Sequence, residues 1–182
     1  MHTGFKRLSA AAALIAPIAM MSISTAPASA AEGTTCTGNS GSAKFSPGLT
    51  SSAKVQNVIV KGTLSGCSGG GVSGGSYIAH LKTTNAVSCA ALAGPGEPTT
   101  GTVVIKWSPK GQGNSNGTFS MPLTGVPGVS LAGTLESGPF ATMSLSGTVS
   151  QTFSGTCGAA VGKKKAKAVK DSTFTGSAVT IA

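Results

Sequence analysis

Few side chains in this sequence of 182 residues can move a proton during catalysis. The whole chain contains four carboxylates and two histidines, and general acid–base catalysis depends mainly on these groups. No two carboxylates fall on one face of a predicted strand, as the pair of a glycoside hydrolase would. The candidates after residue 30 are Glu32, Glu97, Glu136, Asp171 and His80. So small a set is typical of a protein without a catalytic centre.

A triad of His80, Asp171 and a serine is the hydrolase arrangement that these residue types allow. The sequence has no G-x-S-x-G turn to present the serine, and S-G-G-S at 73–76 is typical of a turn. His80 lies on the polar face of a predicted strand, which favours a solvent-exposed histidine. We therefore predict no catalytic residue, no cofactor and a non-enzymatic protein, with a hydrolase as the third hypothesis.

Positive charge is concentrated in the stretch K-K-K-A-K-A-V-K at 163–170. Its five lysines are Lys163, Lys164, Lys165, Lys167 and Lys170. They are predicted to lie in a loop, and the favoured interpretation is a solvated loop that keeps a weakly charged protein in solution. The functional alternative is that this loop binds an anionic polymer or lipid head groups of a cell envelope. Nucleic acid is not an expected partner, because no aromatic residues alternate with the lysines for base stacking.

Four cysteines, Cys36, Cys67, Cys89 and Cys157, predict two disulfides in an exported chain. Cys36–Cys67 with Cys89–Cys157 is favoured because each bridge then joins neighbouring segments, and the other two pairings stay open. No metal site is expected, because the chain has no C-x2-C pair and His80 is the only histidine after residue 30.

Residues 1–30 are typical of a secretory signal peptide. Lys6 and Arg7 precede an apolar run, and A-P-A-S-A ends at Ala30, which is the order of a charged, an apolar and a cleavage region. We expect cleavage near Ala30 and a secreted or envelope-associated product. A single domain without a transmembrane segment is predicted for residues 31–182. Loss of Lys6 and Arg7 lowers the formal net charge from +9 to about +7.

Alternating apolar and polar residues predict an all-β domain. In G-T-V-V-I-K-W-S at 101–108, Val103, Ile105 and Trp107 share one face, which is the two-residue period of a half-buried strand. Similar stretches between Gly- and Pro-containing turns predict about eight antiparallel strands in a sandwich or small barrel. These other stretches lie at 54–64, 72–83, 118–123, 129–136, 143–153 and 173–181.

Three local features refine this prediction. The Gly-, Ser- and Thr-rich residues 31–50 are expected to form a loosely ordered lead-in held by Cys36. Pro122 indicates a strand at the edge of a sheet. Gly followed by Thr recurs in or near the predicted strands, which favours a strongly curved sheet, although a chain with 27 glycines also shows such pairs by composition. The recurrent positions are Gly62, Gly101, Gly117, Gly133 and Gly147.

Six short motifs are distributed along the chain: A-P-A-S-A, T-C-T-G, G-T-L-S-G-C, V-S-C, G-T-V-V-I-K-W-S and G-T-C-G. In these motifs the sequence resembles a family of small secreted proteins of actinobacteria, and the resemblance covers nearly the whole chain after residue 30. It implies export, two disulfides and a β-rich fold, and it implies no activity. In composition the chain is also similar to the neocarzinostatin-type chromophore carriers. Its cysteines are too widely separated for their short-loop bridges, so no pocket residue is carried over.

From these features we expect a secreted, non-enzymatic interaction protein of the cell envelope or extracellular space. The alternative is a carrier that holds a small ligand in an apolar cavity, lined by residues such as Tyr77, Trp107 and Met143. An interaction protein has a filled core and an exposed patch, whereas a carrier has an enclosed pocket. A hydrolase places His80 within hydrogen-bond distance of a serine and a carboxylate.

Overall fold

Eight antiparallel strands form a closed barrel, in which each strand pairs with the next along the chain and the last pairs with the first. The computed structural model describes residues 32–155, 157 and 167–182, so the predicted signal peptide lies outside it. The strands are β1 (Thr34–Leu49), β2 (Asn57–Ser68), β3 (Gly74–Thr83), β4 (Glu97–Ser108), β5 (Asn114–Leu123), β6 (Val129–Ser137), β7 (Ser144–Ser154) and β8 (Val169–Ile181). The all-β antiparallel prediction is confirmed, and the barrel replaces the sandwich alternative.

The apolar residues of the alternating stretches face inward and fill the barrel. Val103, Ile105 and Trp107 of β4 are at most 5 % exposed. The Trp107 ring meets Phe140 edge-on, with the ring centroids 4.9 Å apart. Its Nε1 donates a 3.0 Å hydrogen bond to Oγ of Ser115, which is fully buried. Trp107 is therefore a core residue whose one polar atom is satisfied.

Inward-facing glycines allow so small a barrel to close. A Cβ atom at Gly62 would overlap the Tyr77 ring, and one at Gly101 would overlap the carbonyl oxygen of His80 on the paired strand. Gly117 and Gly133 are likewise pressed against the backbone of a neighbouring strand. A side chain at any of these four glycines would overlap atoms that are already there. These Gly-Thr pairs therefore lie where the sheet is strongly curved.

The expected loose lead-in is instead strand β1, and that prediction is wrong. β1 pairs with β2 on one side and with β8 on the other, and its inward-facing Ala43 and Phe45 are buried. Gly and Ser have little local preference for a strand. The order of β1 therefore comes from two neighbouring strands, one of which is distant in sequence.

The proline in β5 does not mark a sheet edge, because the closed barrel has no edge strand. Pro122 lies opposite Pro98 of β4 and beyond the last β5–β6 pair, which joins Ser120 to Ala132. Its carbonyl oxygen accepts a 2.8 Å hydrogen bond from Nε2 of Gln151. The missing N–H therefore costs no ladder hydrogen bond to β6.

Both disulfides of the favoured pairing are present. Cys36 and Cys67 occupy paired positions on β1 and β2. Cys89 begins a short 3-10 helix (Cys89–Ala93) and is bonded to Cys157, just after β7. This second bridge ties the β3–β4 connection to the β7–β8 connection at one end of the barrel. In the parts of the chain described, no helix has the length and apolar character to span a bilayer.

Candidate functional site

The barrel interior leaves almost no room for a ligand. The internal void measures about 10 Å³ and is lined by Asn39, Tyr77 and apolar side chains such as Phe119. That volume is close to what one water molecule needs, whereas small-molecule pockets measure roughly 300–1,000 Å³. Trp107 and Tyr77 belong to the packed core, and Met143 packs against it. The interior formed by the described residues is therefore a filled core.

The only tyrosine of the chain is a buried structural residue. The Tyr77 hydroxyl on β3 donates a 2.8 Å hydrogen bond to Oδ1 of Asn39 on β1. Burial raises the pKa of the Tyr77 phenol above its ordinary value of about 10, and the hydrogen bond to Asn39 opposes part of that rise. The phenol therefore stays neutral and links two strands that are not adjacent.

Alkaline titration checks this burial. Because the folded-state pKa of Tyr77 is raised, its contribution to stability is complete below about pH 10, the pKa of an unfolded-chain tyrosine, and is lost as the pH rises further. We expect the folded protein to show no phenolate absorbance at about pH 10, and the signal to appear on unfolding. Tyr77→Phe should remove this pH dependence and cost about 1–3 kcal/mol, because Asn39 loses its donor. Half-ionisation of the folded protein near pH 10 would contradict the assignment.

The two residues of the hypothetical triad lie far apart. His80 and Asp171 stand on the outer face of β3 and β8, at the ends of one transverse row that also contains Lys44 and Ile59. Three strand spacings separate them by about 14 Å. Within the described ranges, no group of three or more His, Cys, Asp or Glu residues could hold a metal ion. His80 and Asp171 therefore lack the geometry of a triad.

The predicted lysine run is described only in part. Lys163, Lys164 and Lys165 lie outside the described residues. Lys167 and Lys170 are exposed, and Lys170 belongs to β8. The run joins β7 to β8, on the connection that the Cys89–Cys157 bridge holds.

A second group of lysines, which the sequence analysis did not single out, lies on one side of the barrel. We define the lysine face as Lys44, Lys61, Lys82 and Lys106, one from each of β1 to β4. All four are exposed at outward-facing positions, and the four strands are consecutive neighbours in the sheet. The outward-facing positions of these strands carry no carboxylate. The charges at the outward-facing positions of these four strands are therefore all positive, while Glu97 at the start of β4 accepts hydrogen bonds from Asn85 and Asp171 of β8 pairs with Lys44.

Strand register places apolar side chains among these lysines. Lys61 pairs with Ile78, which pairs in turn with Val104. Ile59 pairs with Lys44 and is 40 % exposed, and Ile78 is 37 % exposed. We call Ile59, Ile78 and Val104 the apolar strip. The combination is an exposed patch that can make both ionic and apolar contacts with one partner.

The other half of the wall has a different chemistry. Strands β5, β6 and β7 contain no lysine, and their outward-facing positions are mostly Ser, Thr and Asn, with Glu136 as their one charge. On β8, Lys170 is followed directly by Asp171. Charge is therefore segregated around the barrel. The alternation within the predicted strands indicates that Lys61, Lys82 and Lys106 face outward, but not that they lie close together. Lys44 lies in residues 31–50, for which the sequence predicts no strand.

Comparison of the chain with protein-family models, curated protein sequences and solved structures gave no match.

Proposed function

We propose that this protein is a secreted, non-enzymatic interaction protein that binds an anionic partner at the cell envelope or in the extracellular space. The observation that carries the proposal is the charge segregation of the barrel wall, with four exposed lysines on β1 to β4 and no carboxylate at the outward positions between them. Two disulfides and the signal-like residues 1–30 support an exported protein.

The lysine face suits a partner that carries several negative charges. A single exposed ion pair contributes only about 0.2–1 kcal/mol, so one lysine alone would bind weakly. Four lysines on adjacent strands can contact one polyanion together, and their summed field also raises the rate of encounter. Both effects weaken with salt, because the screening length falls to about 8 Å at 0.15 M.

Two charge-matched variants test which lysines bind. One variant changes the lysine face to Gln at Lys44, Lys61, Lys82 and Lys106. The other changes four lysines of the run to Gln, at Lys163, Lys164, Lys165 and Lys167, so both lose the same formal charge. We expect the face variant to bind an anionic polymer such as polygalacturonate roughly 30-fold more weakly at low salt, from about 0.5 kcal/mol for each lost ion pair.

The run variant is expected to keep most of the affinity. Binding would be measured by titration at two salt concentrations, and the salt dependence should be flatter for the face variant than for the unaltered protein. If the run variant alone lost affinity, the binding surface would be the β7–β8 connection instead. Failure of the unaltered protein to bind any polyanion would overturn the proposal.

A further inference from the structure

The lysine face contains a concave site between Lys61 and Lys106, and a smaller one of about 460 Å³ beside Lys82. A groove of about 680 Å³ crosses the outer wall between Lys61 on β2 and Lys106 on β4. Its walls include Gly41 and Gly62, which are directly paired on β1 and β2. Both glycines face inward, where a Cβ atom would overlap the rings of Phe174 and Tyr77. The floor of the groove is therefore backbone, and outward-facing side chains such as Lys61, Thr63 and Ile78 form its rim.

Three kinds of chemistry meet in this groove. Lys61 and Lys106 are cations at two of its corners, and their Cα atoms lie about 12 Å apart by strand spacing and rise. Exposed hydroxyls come from Thr63 and Ser76, which are paired on β2 and β3. Ile78 and Val104, paired on β3 and β4, supply the apolar part. A ligand that matches them has anionic groups, hydroxyls and apolar C–H surface.

We infer that this groove binds a segment of an acidic polysaccharide that runs across β1 to β4. The inference rests on the proposed function and names the class of partner. Carboxylates or phosphates of the glycan lie at Lys61 and Lys106, its hydroxyls exchange hydrogen bonds with Thr63 and Ser76, and its ring C–H groups cover Ile78 and Val104.

The surface chemistry favours a glycan over two other polyanions. Single-stranded nucleic acid is bound mainly by bases stacked on aromatic rings and by cations, and the outward-facing positions of β1 to β4 contain no aromatic residue. A membrane anchor needs large apolar side chains that insert below the head groups, whereas Ile78 is only 37 % exposed and stands in a concave site. Paired hydroxyls beside cations fit a ligand that itself carries hydroxyls.

Removal of the hydroxyls tests the inference without a change in charge. The double variant Thr63→Val, Ser76→Ala keeps every lysine, and both sites are exposed, so the fold should tolerate it. We expect its affinity for polygalacturonate to fall about fivefold to tenfold, while its affinity for polyglutamate, an acidic polymer without hydroxyls, stays the same. Equal affinity of the unaltered protein for both polymers, with no effect of the double variant, would overturn the glycan site and leave the proposed function intact.

A carboxylate placed in the groove gives a second, independent test. Val104→Glu puts a negative charge in the groove, two residues from Lys106 on β4 and in one row with Lys61, whereas Thr134→Glu puts the same charge on the outward face of β6. We expect the first variant to lose at least tenfold in affinity for polygalacturonate and the second less than threefold, because the second charge lies on the other half of the barrel. Equal losses would place binding outside the groove. Stronger binding to anionic phospholipid vesicles than to the glycan would assign the lysine face to a membrane instead.

Discussion

Replacement of Trp107 by Ala is expected to lower the free energy of unfolding by about 3–5 kcal/mol, as for large aromatic side chains removed from a core. Trp107 is 5 % exposed and contacts Phe140 edge-on. The truncation leaves a cavity in a closed barrel, whose walls can collapse little because every strand is paired on both sides. It also removes the Nε1–H group that donates a hydrogen bond to Oγ of Ser115 inside the core.

Denaturant unfolding followed by circular dichroism measures this cost, since the tryptophan itself is lost. Val104→Ala is the matched control, because Val104 lies on the same strand but faces outward and is half-buried. We expect that control to cost less than about 1 kcal/mol. Trp107→Phe should fall between the two, because it keeps most of the apolar area but leaves Ser115 without its donor. If Trp107→Ala cost no more than Val104→Ala, Trp107 would not be a core anchor.

Gly101→Ala, which adds one methyl group, should lower the free energy of unfolding by about 3 kcal/mol or more, at the upper end of what overpacking costs in a core. The added Cβ would fall on the carbonyl oxygen of His80 and close to the Cα atom of Leu81. Both atoms belong to the backbone of β3, which pairs with β4 at this point. Relief of the overlap therefore requires the two strands to separate, and no side chain can rotate to provide the space.

Gly94→Ala is the control for this second prediction. The nearest atom to a Cβ at Gly94 is the carbonyl oxygen of Ala91, at 4.0 Å, and its φ of −112° suits any residue. We expect the free energy of unfolding of this variant to change by less than about 0.5 kcal/mol. Loss of the folded signal in Gly101→Ala alone would support the prediction, because the cost would then exceed the total stability. Equal stability of the two alanine variants would show that the barrel is less tightly curved at Gly101 than its strand pairing implies.

The strand stretches could be predicted because each carries its own two-residue period. Trp107, Val103 and Ile105 face inward for a local reason, since successive side chains of any strand alternate between its two faces. The lead-in at 31–50 has few large apolar residues, so the same method missed β1 there. Its partner β8 lies at the other end of the chain, with Thr34 paired to Ile181.

The candidate site also combines features that are local in sequence with features that depend on strand pairing. The lysine run stood out because its members are adjacent in sequence, whereas Lys44, Lys61, Lys82 and Lys106 lie on four separate strands. Lys61, Lys82 and Lys106 lie in predicted strands and could be predicted to face outward, whereas Lys44 lies in residues 31–50, for which the sequence predicts no strand. The proximity of the four lysines depends on the strand order and register, as does the separation of His80 from Asp171.

The amino-acid pattern was enough to predict the direction of most side chains, the presence of two disulfides and a core assembled from small and β-branched residues. These are local or compositional properties, and they hold for any arrangement of the strands. Three features became visible in the folded barrel alone: β8 closes on β1, the inward glycines are pressed against neighbouring strands, and four distant lysines share one wall. Contacts of this kind depend on hydrogen-bonded pairing of segments far apart in the chain, which the alternation within a strand does not specify.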